Sequence, residues 1–239
     1  MDLSVVVPVR NEVENVEPLL REIIAALHGR LDFEVVFVDD GSDDGTAQLL
    51  SRLKSEIKLL RLVRHSRSCG QSTAVHTGVN VAQGAWIATL DGDGQNDPAD
   101  IPKLLQQRHE STDPGLQMVC GFRAKRQDTW LRRLSSRVAN GVRSRLLNDA
   151  SIDTGCGLKL FRRDAFLHLP YFDHMHRFLP ALVLRQGGRI AWVEVHHRPR
   201  LRGQSKYGLF DRLWVGIVDM LGVMWLQRRA KQPEIFEEN

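Results

Sequence analysis

The sequence predicts an α/β domain, a mostly parallel sheet flanked by helices, with one amphipathic, apolar helix at its C-terminal end. Three observations carry this prediction. Short runs rich in valine and isoleucine recur along the chain, helix-patterned segments separate them, and polar clusters with glycine follow several of the runs. Near-continuous apolar strands alternating with helices are the mark of βαβ units, whose strands are covered on both faces. No internal repeat or low-complexity linker interrupts the pattern. Residues 1–208 therefore read as one domain, with residues 209–239 as a helical appendage and polar tail.

The elements follow in chain order. Strands are expected at Leu3–Pro8, Phe33–Asp39, Lys58–Val63 and Ala85–Leu90, then near Met118–Gly121, Gly157–Phe161 and Ile190–His196. The first helix begins near Pro18 and carries Leu19, Leu20, Ile23, Ile24 and Leu27 on one face. Proline fits a first turn because that N–H has no helical partner. Asp43 or Asp44 caps the next helix, and Pro98 opens another after Asp97. In open parallel sheets, ligands bind beyond the carboxyl ends of the strands, so the clusters there become the candidate site.

Composition narrows the class. Apolar residues make up 42% and charged residues 26%, ordinary globular values that exclude disordered and collagen-like chains. The net charge of +4 conceals an asymmetry. Residues 1–119 hold 18 acidic and 11 basic side chains, net −7, and residues 120–239 hold 11 and 22, net +11. An acidic region suits cations, and a basic one suits phosphate or a membrane surface. Cys69, Cys120 and Cys156 are odd in number and lack C-x-x-C spacing, so neither a disulfide framework nor a zinc ribbon is expected. His174 with His176, and His196 with His197, lack the spacing of a helical zinc pair. Met1-Asp2-Leu3-Ser4 has no basic n-region, so no signal peptide is expected and the protein is placed in the cytosol. The apolar stretch Leu213–Leu226 contains Asp219 and is shorter than the roughly 20 residues a bilayer span needs. Its Trp214 and Trp225, flanked by Arg212, Arg228, Arg229 and Lys231, suit a helix lying in the headgroup region, or one packed on a second subunit.

Three polar clusters sit at expected strand ends: Pro8–Glu12, Asp39–Thr46 and Asp91-Gly92-Asp93-Gly94-Gln95. Two aspartates in a tight turn repel one another, and a divalent cation relieves that repulsion. Hard oxygen ligands suit Mg²⁺ or Mn²⁺, which keep positions open for a diphosphate. The chain has no G-x-x-x-x-G-K-[ST] loop and no G-x-G-x-x-G opening its first helix. P-loop and dinucleotide-binding chemistry are thereby disfavoured.

These three clusters, in this order, resemble the inverting family 2 glycosyltransferases of GT-A (Rossmann-like) fold. Gly121-Phe122-Arg123, Asp153–Arg163 and Arg200–Gly208 are similar to the polyprenyl- and dolichyl-phosphate branch of that family. The resemblance implies transfer of a sugar from a nucleotide sugar, a UDP-sugar ahead of GDP-mannose, to a polyprenyl phosphate with the help of Mg²⁺ or Mn²⁺. It places Pro8, Arg10, Glu12, Asp40 and Asp91 at the nucleotide, and Asp91, Asp93 and Gln95 at the metal. Asp93, Arg123, Arg200 and Lys206 take catalytic roles, and Arg123, Arg132 and Ser136 meet the acceptor phosphate. Arginine grips phosphate at two points, which suits that task. Arg202 is an alternative to Arg200 in a loop that Gly203 and Gly208 let bend. Asp153 falls near the acceptor as an orienter or metal-shell residue, because a phosphate nucleophile needs no strong base.

Two other readings stand beside this one. A transferase of the same fold could act on a carbohydrate or protein hydroxyl. A scaffold could bind nucleic acid or membrane through the basic half alone, and the intact acidic clusters argue against it. The expected partners are thus a nucleotide sugar, a polyprenyl phosphate, a membrane surface and a second copy of the chain, with no nucleic acid. The expected location is the cytosolic membrane face, by peripheral attachment.

Overall fold

A computed structural model describes residues 1–124, 141, 143–149, 151–199 and 209–231. Its strands are β1 (Leu3–Val9), β2 (Phe33–Asp39), β3 (Leu60–Arg64), β4 (Trp86–Thr89), β5 (Leu116–Phe122), β6 (Lys159–Arg162) and β7 (Arg189–Glu194). Its helices are α1 (Val16–Leu27), α2 (Thr46–Glu56), α3 (Gln71–Val81), α4 (Ile101–Glu110), α5 (Arg163–Leu167), α6 (Leu179–Arg185) and α7 (Leu209–Arg228). Every expected strand is found, with ends moved by up to two residues. Asp97 caps a 3₁₀ turn, Pro98–Asp100, by accepting from the Ala99 N–H. At α2 a left-handed Gly45 occupies the cap position, and Asp44 accepts the Thr46 N–H at 3.0 Å.

The seven strands order as β3-β2-β1-β4-β6-β5-β7. Neighbours pair in parallel except at β6, which runs antiparallel to β4 and to β5. The carboxyl ends of the other six strands and the start of β6 consequently share one edge. β1 pairs with β2 on one side and β4 on the other, so the switch point lies between the β1 and β4 ends.

Alternation along β1 sorts the core into two layers. Leu3, Val5 and Val7 face α1, α2 and α4, whereas Val6 faces α3, with all four fully buried. Burying each such side chain contributes about 1.5–3 kcal/mol. Helix α3 has poor intrinsic helix formers in Thr73, Thr77, Gly78 and Val79. Tertiary packing decides it: a Cβ at Gly78 would collide with Val6 and meet Val38 at 3.0 Å.

Helix α7 lies on the second layer. Val223 is fully buried and Met220, Met224 and Leu226 pack beside it. Arg185 Nε donates to the Leu226 carbonyl at 2.9 Å, and Gln227 Nε2 to the Leu147 carbonyl at 2.7 Å. Asp219, the acid inside the apolar stretch, faces His174 Nδ1 at 3.1 Å. Ile217, Val218, Leu221 and Trp225 stay exposed on the opposite side. Among the described residues no helix is long and apolar enough to cross a membrane.

Candidate active site

The first two polar clusters interlock. Asn11, held at a φ of 54°, donates from its backbone to Ser42 Oγ (2.9 Å) and from Nδ2 to Asp43 Oδ1 (2.6 Å). The Glu12 N–H reaches Thr46 Oγ1, and the Val13 N–H reaches Asp44 Oδ2. Glu12 Oε2 also accepts from Asn15 Nδ2 at 2.6 Å. Pro8 is partly buried near the end of β1, and Arg10, just past that end, is exposed. These bonds tie the loops after β1 and β2 into one wall.

Asp40 carries more than its motif suggests. Its Oδ1 accepts from His65 Nδ1 (2.7 Å) and the Cys69 N–H (2.8 Å), and its Oδ2 from Ser68 Oγ (2.7 Å) and the Gly70 N–H (2.9 Å). Burial works against the charge, but these four donors outweigh it and hold the carboxyl below the usual aspartate range. His65, Ser68 and Gly70 carry no motif. Ligand atoms of Asp40, His65 and Cys69 lie within 4.8 Å of one another. His65 Nδ1 already donates to Asp40, so this trio is a hydrogen-bonded cluster.

The third cluster lies over the switch point. A Cβ at Gly92 would come within 2.5 Å of Val9 and 3.0 Å of the Pro8 carbonyl, which is why the turn needs glycine there. Asp91 is braced from two sides: its N–H donates to Asn96 Oδ1 (3.1 Å), and its Oδ1 accepts from Gln71 Nε2 (2.8 Å). Asp93 Oδ1 takes the Gln95 N–H at 3.1 Å. Burial and then the nearby Asp93 charge push the Asp91 carboxyl above its ordinary range, against the pull of Lys159, Gln71 and Arg123. Two mutually repelling hard-oxygen donors at a strand end fit a divalent cation of the Mg²⁺ or Mn²⁺ kind. Gly157 completes the cradle, since a Cβ there would overlap the Asp91 carboxylate. Gln71 and Asn96 lie outside every motif, while Gly157 and the buried Lys159 fall inside the Asp153–Arg163 motif, which gives them no individual role.

Arg123 stands at the end of β5, paired with Asp153 from the chain entering β6. Nε donates to Oδ2 at 2.6 Å and Nη2 to Oδ1 at 2.8 Å. The Arg123 N–H also reaches Oδ2, at 3.2 Å. Both side chains are nearly buried, at 12% and 7% exposure. Burial opposes the guanidinium charge, yet Asp153 raises the arginine above its usual pKa, and Asp91 adds to this. The structure thus brings Arg123, Asp153, Asp91 and Asp93 to one end of the sheet. Arg132, Ser136, Arg200 and Lys206, with Arg202, Gly203 and Gly208, lie outside the described residues. The chain after β7, leading to the last group, is tied to the Asp91 turn by the Arg198 N–H on the Gln95 carbonyl (2.9 Å) and to the following 3₁₀ turn by His196 on Asp100.

Comparison with known proteins gives the family. The description "Glycosyl transferase family 2" matches residues 4–169, and the chain belongs to glycosyl transferase family 2. It is 36% identical over 241 residues to the dodecaprenyl-phosphate galacturonate synthase of Rhizobium johnstonii, covering 99% of this chain and 70% of that protein. It is 36% identical over 212 residues to the undecaprenyl-phosphate 4-deoxy-4-formamido-L-arabinose transferase of Edwardsiella ictaluri, covering 87% of this chain and 63% of that one. The chain thus spans less than two thirds of the second relative. Among solved structures, mannosyl-3-phosphoglycerate synthase from Rubrobacter xylanophilus superposes with a TM-score of 0.74 at 18% identity, covering 99% of this chain and 77% of that one. Glucosyl-3-phosphoglycerate synthase from Mycobacterium tuberculosis, solved with Mn²⁺ and UDP, gives 0.69 at 19%, covering 97% and 81%. The two superpositions bear out the expected fold.

Proposed function

We propose that this chain transfers a sugar, with inversion, from a nucleotide sugar to a polyprenyl phosphate. The observation that carries the reading is the two-point Arg123–Asp153 pair beside Asp91 and Asp93. In a transferase acting on a hydroxyl, a carboxylate at this place would serve as general base. Here both oxygens of Asp153 are committed to an arginine, which supports an anionic acceptor over a hydroxyl. The polyprenyl-phosphate relatives support the same choice.

The wall of Pro8, Arg10, Glu12 and Asp40 holds the nucleoside. Asp91 and Asp93, with Gln95, hold a divalent cation, which neutralises charge on the departing diphosphate when bound. Arg123, oriented by Asp153, positions the acceptor phosphate. One of its oxygens forms the new bond to the anomeric carbon as the bond to the diphosphate oxygen breaks on the opposite face. No proton has to move, because the nucleophile arrives as an anion. Arg132, Ser136, Arg200 and Lys206 complete the phosphate contacts in this reading. Residues 1–208 form the catalytic unit. Helix α7 lays Ile217, Val218, Leu221 and Trp225 into the membrane surface, with Arg228, Arg229 and Lys231 on the headgroups.

The test is a donor screen. The protein is incubated with Mn²⁺, a short polyprenyl phosphate and a panel of UDP- and GDP-sugars, and the lipid-linked sugar is assayed. One or more donors should give product, with a UDP-sugar best. No product from any donor, together with an Asp93→Ala variant that binds UDP and Mn²⁺ like the unsubstituted chain, overturns the reading.

A further inference from the structure

His197 and Arg198, which the proposed chemistry leaves without a role, run antiparallel to the end of the Asp91–Gln95 turn. His197 forms an isolated bridge with Asn96, and the Arg198 N–H reaches the Gln95 carbonyl at 2.9 Å. Arg198 precedes Pro199, which drives its backbone toward the extended form that such a bridge needs. Pro199 itself has no N–H, so it cannot donate a further bond to the turn.

The Arg198 side chain closes the arrangement. Its Nη1 donates to Glu22 Oε2 of α1 at 2.6 Å, and its Nη2 to Asp97 Oδ1 at 2.7 Å. Asp97 stands two residues past Gln95 and caps the 3₁₀ turn through the Ala99 N–H. Inside the turn, Asn96 Oδ1 holds the Asp91 N–H. One arginine thus ties the first helix and the chain after β7 to the residues flanking the cation ligands.

Arg198 could affect a cation in two ways of opposite sign. As a positive charge near the site it would repel the ion, so its removal would tighten binding. As a clamp it holds the turn in shape, so its removal would loosen binding. Its charge is already met by two carboxylates at hydrogen-bond distance, which leaves little field to repel an ion. The geometric effect should win.

We propose that Arg198 is a positioning residue for the cation end of the site, setting Gln95 directly and Asp91 through Asn96. This rests on the functional reading above, in which Asp91, Asp93 and Gln95 hold the cation. It goes beyond that reading by giving a part to a side chain that is not itself a ligand.

The experiment titrates the full chain with Mn²⁺ alone by calorimetry and records the electron paramagnetic resonance spectrum of the bound ion. The unsubstituted chain is compared with Arg198→Met, which removes both charge and fork, and with Arg198→Lys, which keeps the charge but cannot span two carboxylates. Arg198→Met should weaken Mn²⁺ binding about 2- to 5-fold, the scale of a partly exposed ion pair. Arg198→Lys should recover at most part of that loss, and the spectrum at saturation should change in both. If Arg198→Met fails to fold, Arg198→Lys decides alone. Tighter or unchanged binding in Arg198→Met overturns the proposal, as does full recovery in Arg198→Lys, since a single charge would then suffice without the fork. A lower melting temperature with the original affinity and spectrum also overturns it, by making Arg198 a stability residue only. If the unsubstituted chain binds no Mn²⁺, the functional reading falls first and the clamp with it.

Discussion

Asp153 grips Arg123 through two parallel hydrogen bonds, 2.6 and 2.8 Å long, and adds a third to the arginine's own backbone N–H. A planar guanidinium held this way has one orientation. Asp153→Ala would leave a nearly buried cation without its counter-charge, a change that typically costs about 3–5 kcal/mol. Chemical denaturation should show a loss of that order. Asp153→Asn should be milder in stability yet raise the KM for polyprenyl phosphate more than the KM for the nucleotide sugar. Arg123→Lys should not restore the acceptor KM, because an ammonium cannot reproduce the two-point contact. Equal effects on both substrates would place the pair at the donor.

Gly157 gives a second test. Gly157→Ala would place a methyl group against the Asp91 carboxylate and 2.7 Å from Asn96 Oδ1. The side chains must move, and the cation cradle moves with them. Binding of Mn²⁺ should fall at least tenfold in calorimetry, while far-UV circular dichroism stays that of the parent. Undiminished Mn²⁺ binding would argue that Asp91 is no ligand.

The exposed side of α7 should carry lipid binding. Deleting residues 209–239 would be a poor test, because Val223 and its neighbours are part of the core and their loss exposes it. Leu221→Glu and Val218→Glu change only the outer face. Each should reduce co-sedimentation with anionic liposomes severalfold, with the melting temperature near that of the parent. Retained binding in the double variant would remove α7 from the membrane contact.

A buried network far from the site sets a limit on acid stability. Glu34 accepts from Ser4 Oγ (2.6 Å), Arg61 Nη1 (2.8 Å) and the Gln83 N–H (2.7 Å). Burial alone would raise its pKa, but these donors lower it below the ordinary 4.5. A carboxyl depressed in the folded state stabilises above its unfolded pKa, and that contribution is lost as pH falls through the folded value. Unfolding midpoints measured from pH 7 down to pH 3 should therefore show wild-type stability falling below about pH 4.5, the unfolded value. Glu34→Gln, lower at neutral pH, should show a shallower acid slope. Parallel slopes would mean that Glu34 titrates alike folded and unfolded.

Much of this was legible in residue pattern because the relevant physics is local. Val5–Val7 and Val35–Val38 are apolar runs that only a doubly covered strand explains, and all of them are buried. The Asp91-Gly92-Asp93 turn announced its own geometry through its glycine. What remained hidden depends on distance along the chain. Helix α3 is written in weak helix formers and exists because Gly78 lets it touch β1. Gln71 reaches Asp91 across a fold that no spacing rule encodes, and Asp153 finds Arg123 from thirty residues away. Asp153, for which the resemblance implies an orienter or metal-shell role, hydrogen-bonds Arg123 in the fold. Residues 65–70 carry no motif, since three of their four contacts to Asp40 come from a backbone N–H or an ordinary serine.

The antiparallel β6 has a consequence for how such a protein can vary. Phe122 leaves β5 and Lys159 enters β6 at neighbouring places, since Cys120 and Lys159 are directly opposite across the ladder. The connection from β5 to β6 thus leaves and rejoins the sheet at adjacent points. The entropy of closing such a loop grows only with the logarithm of its length, by about 0.6 kcal/mol per doubling. Sequence between these two points can lengthen or shorten while the strands beneath keep their register, provided that Leu147, Cys156 and Leu158 keep their places in the core and Gly157 its place against Asp91.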